Sequence, residues 1–268
     1  MKILSRGNYV GQNRSQYKMP GLILTKCFFP KAFNSDWHSH ENSHLTFALK
    51  GGSIEKRKKG SIPCSPGLLL LYPANELLRN TDYVSNSESF SIEFENEWCK
   101  TLEINNQEKN RQIIIRDPLI KLNMIKIMGE VKEADGLSNL CIETSILGIL
   151  SSLEHDITGN KRPSWITQLY ELLHDEHNCN WSLASLAEKI KVHPVTLSKY
   201  FPKYFQTNIG DYIRKIKTGK SLTDLCKKSI AIEEIAIKSG FVDNAHFTRV
   251  FKKHTGITPS QYRHFITG

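Results

Sequence analysis

The sequence predicts two domains: an all-β N-terminal domain followed by a helical hairpin, then an all-α C-terminal domain made of two similar halves. Three observations predict it. Residues 20–105 carry short apolar runs between clusters of Gly, Pro, Asn and Ser, among them Leu45–Leu49, Gly67–Tyr72 and Phe90–Phe94. Runs of that size, bounded by breakers, are strand-like. From Asp117-Pro118 onward the apolar residues change to helical spacing. The last third of the chain then nearly repeats itself, the mark of a duplicated supersecondary unit. The expected boundaries are 1–115, 116–160 and 161–268.

Length and composition allow this division. The 268 residues are enough for two cores, and 39% hydrophobic with 24% charged residues describes a globular chain rather than a disordered or fibrous one. The longest apolar run, Leu68–Tyr72, is far short of a membrane span. The opening residues lack the apolar stretch of a secretory signal, so a cytoplasmic protein without a membrane partner is expected. Cys27, Cys64, Cys99, Cys141, Cys179 and Cys226 stand singly. That spacing predicts neither a zinc site nor a disulfide framework, and no cofactor is expected.

Charge is unevenly placed. Of the 36 Lys+Arg, residues 161–268 hold 17, against only 9 of the 27 Asp+Glu, so this part supplies +8 of the net +9. A compact basic third fits a polyanion partner; a solvated basic surface fits equally well on charge alone.

The elements follow in order. After the strands, Leu119, Leu122, Ile125, Ile127 and Val131, then Leu140, Ile142, Ile146, Leu147, Leu150 and Leu153, predict a helical hairpin broken at Asp135-Gly136. Thr158–Pro163 reads as a linker. A helix from Lys161 to Glu176 follows, with Trp165, Leu169, Leu172 and Leu173 on one face. Leu183, Leu186, Ala187 and Val192 then reappear 49 residues later as Ile232, Ile235, Ala236 and Phe241. Leu197, Tyr200, Phe201, Lys203 and Tyr212 reappear 50 residues later as Phe247, Val250, Phe251, Lys253 and Tyr262.

Each repeat reads as helix, tight turn, helix. In the second, Ile232–Ser239 forms the first helix, Gly240 takes the left-handed conformation that ends it, and Asp243 caps the next. That helix buries Phe247, Val250 and Phe251. It leaves Asn244, Ala245, Thr248, Arg249 and Lys252 outward, a stripe able to pair with base edges in a major groove. In the first repeat Pro194 follows a His193 cap, Leu197 and Phe201 face inward, and Val195, Thr196, Ser198 and Lys199 face outward. Pro202 predicts a helix kinked or shortened after Phe201. The connecting helix, Asp211–Lys228, would be about 27 Å long. Such a rod can hold two reading helices near one DNA turn apart, about 34 Å.

These features resemble one family closely. Residues 165–266 are similar to the DNA-binding domain of AraC/XylS transcription regulators. The resemblance is carried by Ile235-Ala236, Gly240-Phe241, Phe247, Arg249-Val-Phe-Lys252 and Gly256-Ile-Thr-Pro-Ser-Gln-Tyr-Arg263. It implies base contacts by Asn244, Ala245, Thr248 and Arg249, and by Val195, Thr196, Ser198 and Lys199. It assigns Lys203, Lys252 and Lys253 to phosphates. Ser221, where the family usually has Ala, Asp224, where it usually has an aliphatic residue, and Gly219 depart from the pattern. They predict a looser coupling of the two repeats, with Gly219 costing about 1 kcal/mol relative to Ala.

Residues 37–80 resemble a cupin, a small β-barrel that serves as effector domain in many such regulators. The carrying residues are Trp37-His-Ser-His40, Gly51-Gly52, Pro66-Gly67 and Tyr72-Pro73. His38 and His40 alternate on a strand and so share a side. Metal-binding cupins add a later His, where this chain has Leu78; His44 and Glu41 match that geometry poorly. His38 and His40 are therefore expected to line a ligand pocket or stabilise the barrel, without a metal. Lys56-Arg57-Lys58-Lys59 reads as a solvated hairpin tip. No GxSxG, HExxH or phosphate loop is present, and a Cys27 or Cys64 pairing with His38 is unremarkable, so the chain does not read as an enzyme.

The expected function is a sequence-specific transcription regulator, an activator, responsive to a small-molecule effector. Its expected partners are double-stranded DNA, that effector, a second copy of the chain through the hairpin, and RNA polymerase. One alternative is a regulator whose N-terminal domain only dimerises or contacts partners. Another is a metal-dependent cupin enzyme with a DNA-binding tail.

Overall fold

The structure is a computed structural model that describes residues 2–58, 60–101, 113–115, 117–157, 163–175, 181–205 and 207–267. It divides into two compact units, Met1–Arg116 and Asp117–Gly268, so the helical hairpin packs with the helical unit. The expected linker lies outside the described residues apart from Pro163.

In the first unit the strands are β1 (Lys2–Leu4), β2 (Gln12–Met19), β3 (Leu22–Phe29), β4 (His38–His40), β5 (Ser43–Lys50), β6 (Ser53–Arg57), β7 (Gly60–Cys64), β8 (Leu69–Tyr72), β9 (Arg79–Thr81) and β10 (Ser87–Phe94). A short helix α1 (Asn96–Thr101) and strand β11 (Ile113–Ile115) follow. They form a six-stranded antiparallel sheet ordered β11-β8-β5-β10-β3-β2, a three-stranded sheet ordered β7-β6-β9, and a parallel pair β1-β4. Period-2 alternation sends Leu45, Phe47 and Leu49 of β5 into the core, opposite Phe90 and Ile92 of β10.

Among the described residues no sheet closes on itself, so the expected barrel is open here. The chain leaves one large sheet for the other at Gly51-Gly52, with φ of 74° and 156°. A Cβ at Gly51 would sit 2.0 Å from the Ser87 hydroxyl, so only glycine fits this corner.

The second unit holds α2 (Pro118–Glu133), α3 (Ser138–Ile157), α4 (Ser164–Asp175), α5 (Leu183–Lys189), α6 (Pro194–Phe205), α7 (Ile209–Leu225), α8 (Ile232–Lys238), α9 (Asn244–Thr255) and α10 (Pro259–Thr267). Asp117 caps α2, accepting the Leu119 N–H at 2.7 Å, with Pro118 in the first turn. The hairpin breaks at the expected Asp135-Gly136, with Ala134 left-handed at φ 48° just before them. Helix α7 is the axis: Tyr212, Ile216, Thr218, Gly219, Ser221, Leu222 and Leu225 are all buried. Around its first half Leu169, Leu173, Leu186, Leu197 and Phe201 form one apolar cluster, with Leu119 of α2 packed against it.

Two expectations need correction. Of the kinked or shortened helix expected at Pro202, the shortening does not occur, because α6 continues through Pro202 to Phe205. The fully buried Phe201 stacks on Phe205 at 4.2 Å, which fixes the helix on both sides of the proline, while the proline ring itself faces solvent. Helix α7 begins earlier and ends sooner than expected, because Asn208 caps it by accepting the Asp211 N–H at 2.9 Å.

Candidate functional site

The second repeat is built as helix, turn, helix. Helix α8 ends at Lys238 with Ser239 as its C-cap, and Gly240 follows at φ 80°, a conformation that costs an L side chain about 1–2 kcal/mol. Its N–H donates to the Ile237 carbonyl at 2.9 Å. Asp243 then caps α9, its carboxylate accepting the His246 N–H at 2.6 Å. Phe247, Val250 and Phe251 are buried on the inner face. Asn244, Ala245, Arg249, Lys252 and Lys253 are exposed on the outer one, and Thr248 is half-buried, its hydroxyl donating to Asn244 Oδ1 at 3.4 Å. The expected reading residues therefore share one exposed surface.

The first repeat follows the same plan with different parts. Ser182 and Ser185 cap α5 reciprocally. Lys191 occupies the left-handed turn position at φ 55°, where the second repeat has Gly240. His193 accepts the Val195 N–H on Nδ1 at 3.3 Å, which requires that nitrogen to be unprotonated. Leu197 and Phe201 are buried; Val195, Ser198, Lys199 and Lys203 are exposed and Thr196 is half-buried.

Residues 186–264, spanning both repeats, match a family model described as a helix-turn-helix domain. They form an AraC-type helix-turn-helix domain. The Msm operon regulatory protein of Streptococcus mutans is 27% identical over 146 residues, covering 54% of this chain and 50% of that protein. The transcriptional activator RhaR of Salmonella arizonae is 27% identical over 109 residues, covering 41% of this chain and 39% of that protein. The chain thus spans half or less of the length of these relatives. Among solved structures, ToxT of Vibrio cholerae O395 is 15% identical, with a TM-score of 0.40 over 93% of this chain and 100% of that one.

Within the AraC-type domain, α7 grips the second repeat at three points. Near its start, Asp211 pairs with Lys253 of α9 at 3.0 Å and with Lys215 at 3.7 Å. Burial pushes this carboxyl up, but the Lys253 hydrogen bond and the surrounding cations outweigh it and hold the pKa below its ordinary value. Midway, Lys217, 9% exposed, donates to the Gly240 carbonyl at 2.8 Å. Near the end, Asp224 pairs with Lys238 of α8 at 2.7 Å, which depresses its pKa.

Asp224, expected to loosen the coupling, instead ties α7 to α8. Gly219 and Ser221 are buried, so their small size lets helices crowd the axis. Lys253, assigned to phosphate by resemblance, is engaged by Asp211. Lys217 escaped sequence reading because a lysine inside an amphipathic stretch carries no signal of its carbonyl partner. Finally, Arg263 Nε donates to the Leu225 carbonyl at 3.3 Å, closing the end of α7. The resemblance named Tyr262-Arg263; the structure gives the arginine this role.

The N-terminal unit holds the other predicted residues. His38 and His40 lie on β4 with rings 5.5 Å apart, both lining one interior cavity with His44. The ring of His44 lies 4.4 Å from that of His40 and stacks on Tyr72. Burial lowers all three imidazoles, His44 to about 4 and His40 to about 2, so they are neutral. Leu78 pairs with His38 across a strand bridge. The place of a metal-binding cupin's further His is thus filled by an aliphatic side chain, and among the described residues no three His, Cys, Asp or Glu are grouped to hold a metal.

Arg57, read as part of a solvated tip, is only 10% exposed. It pairs with the fully buried Glu55 at 2.6 Å and also with Glu76, while the Tyr72 hydroxyl donates to Glu55. Strand alternation places Glu55 and Arg57 on the same inner face.

Proposed function

We propose that the chain is a sequence-specific transcription regulator that binds double-stranded DNA through the two repeats of its AraC-type domain. The single observation that carries this reading is the exposed face of α9. It presents Asn244, Ala245, Thr248 and Arg249 together on a helix whose other face is fully packed. Asn suits adenine, Arg suits guanine, and the methyl groups of Ala and Thr suit thymine. Val195, Thr196, Ser198 and Lys199 read the neighbouring groove, and Lys203 and Lys252 hold phosphates. Lys253 holds phosphate only by giving up Asp211.

Titrating the chain against its operator and against random DNA tests this. Replacing Arg249 with Ala is expected to cost about 1–3 kcal/mol on the operator and to relax preference at one base position. Replacing Lys252 with Ala is expected to weaken both duplexes and lower the salt slope by about one unit. Equal losses on the two duplexes for Arg249→Ala would refute base reading.

The N-terminal unit, with a cupin-like cavity lined by His38 and His40, supplies effector response in this reading, and the regulator acts as an activator through RNA polymerase. A second reading, in which the chain pairs with a second copy, is favoured by Leu140 and Leu147. They lie one heptad apart on α3 and are 63% and 44% exposed. Sedimentation of Leu140→Glu against the unaltered chain tests it: a dimer that persists unchanged rules out this face.

A further inference from the structure

Helix α2 lies outside residues 186–264 of the AraC-type domain, yet it packs along α7 and reaches α9. That packing brings Lys126 of α2 to a place where cations already gather. At the first turn of α7 the Asp211 carboxylate serves Lys253 at 3.0 Å, Arg214 at 3.4 Å and Lys215 at 3.7 Å. Among the described residues no carboxylate forms an ion pair with Lys126.

The electrostatics place Lys126 beside these groups. It is exposed overall, yet partial burial against the packed helices and, after it, the Lys215 charge pull its ammonium below the ordinary range. The imidazole of His254 is held at about 4, first by burial. Against the opposing pull of Asp211, it is lowered further by Lys215, Lys253 and Lys126, so the three ammonium groups converge on one spot. Several cations share one carboxylate there, and the cluster keeps an excess of positive charge.

The cluster stands at the end of the reading stripe. On α9, Ala245, Arg249 and Lys253 follow one another at four-residue spacing and so share a face. Ala245 to Lys253 is about 12 Å of helix, close to the width of a major groove. A helix whose early turns touch bases thus brings Lys253, and the cations packed beside it, to the sugar-phosphate strand bordering the groove.

We propose that Lys126 is a further DNA contact: with Lys215 and Lys253 it clamps backbone phosphate beside the groove that α9 reads. The proposal rests on the DNA-binding reading above and deepens it, extending the contact surface from the AraC-type domain onto the helical hairpin. Ammonium point charges neutralise phosphate without base preference and release its counter-ions. A phosphate seated among the lysines replaces their mutual repulsion with attraction, and it competes with Asp211 for Lys253.

The test titrates the full chain with a random-sequence duplex of about 30 base pairs, from roughly 0.05 to 0.2 M salt. Near 0.1 M salt, Lys126→Gln is expected to bind roughly five- to tenfold more weakly and to lower the salt slope by about one unit, whereas Lys126→Arg keeps both. Lys132→Gln removes the same charge from the exposed last turn of α2, and is expected to change affinity by less than about twofold. Acetylation by acetic anhydride, read by mass spectrometry, should be blocked at Lys126 by the duplex and unaltered at Lys132.

An unchanged salt slope in Lys126→Gln overturns the proposal. So does an equal loss in Lys132→Gln, which would reduce the effect to net charge, or a loss in Lys126→Arg as large as in Lys126→Gln. Should Lys126→Gln fail to fold, labelling of the unaltered chain decides: equal acetylation of Lys126 with and without duplex refutes the contact. If Lys252→Ala weakens binding while Lys126→Gln does not, the DNA-binding reading stands and this contact falls. An unaltered chain that ignores duplex DNA removes both.

Discussion

The two helix-turn-helix repeats share a core and differ almost everywhere else. Leu186 and Ile235, Ala187 and Ala236, Leu197 and Phe247, Phe201 and Phe251, and Tyr212 and Tyr262 are buried in corresponding positions. The turn is glycine in the second repeat and lysine in the first; the cap is Asp243 in one and His193 in the other. On the outer faces, Ala245, Thr248 and Arg249 correspond to Val195, Ser198 and Lys199. The difference separates two requirements. Packing of α7 between the repeats demands the same volumes twice, whereas a solvent-facing stripe is free to diverge with whatever it touches. The second repeat is also the better supported, since Lys217, Asp211 and Asp224 all reach it from α7.

The largest effect should come from the shared core. Phe201→Ala and Phe251→Ala are each expected to cost about 3–5 kcal/mol, because both rings are fully buried. Amide exchange in α6 and α9 reads the two losses separately. A cost near zero for either would show that its repeat is not packed as its twin is.

Lys217→Met sharpens the asymmetry. It leaves the Gly240 carbonyl without its buried donor, at about 1–3 kcal/mol, and should lower protection in α8 and α9 more than in α5 and α6. Equal losses in both repeats would mean that Lys217 supports the whole axis rather than one turn.

Acid should act on both repeats. His174, which lies 3.1 Å from the Tyr212 hydroxyl, and His254 are held by burial at about 4, below the ordinary 6.5. Their unfolded forms bind the proton first, so stability is full above about 6.5, falls as pH drops toward 4, and levels off below. Thermal midpoints across that window should trace the fall; His174→Phe and His254→Phe should each flatten it. A midpoint constant from pH 7 to 4 would mean that neither imidazole is buried neutral.

The smallest pair of changes should have opposite signs. Gly240→Ala should destabilise by about 1 kcal/mol or more, and Lys191→Gly should stabilise by about 1 kcal/mol or less, since both sites are left-handed. Crowding at Gly240, where a Cβ would come within 3.1 Å of Lys217 Nζ, makes the first the larger. The same sign for both would break the correspondence of the two turns.

Features that depend on near neighbours were legible in the amino-acid order. Helical period, the 49- and 50-residue repeat, the Asp117 and Asp243 caps and the left-handed Gly240 all follow from hydrogen bonds and burial within a turn or two. The outward stripe on α9 was legible for the same reason. Which distant groups meet emerges only in the folded chain. Lys217 finds a carbonyl 23 residues away, Asp211 a lysine 42 away, and Glu93 a backbone N–H 86 away. Folding also decided that the chain passes from one sheet to another at Gly51-Gly52, that Pro202 stays inside a helix held by Phe201 and Phe205, and that His40 joins His38, His44 and Tyr9 around one cavity. Such contacts depend on shape and charge complementarity between segments that meet only once the chain has folded, and no local pattern encodes that meeting.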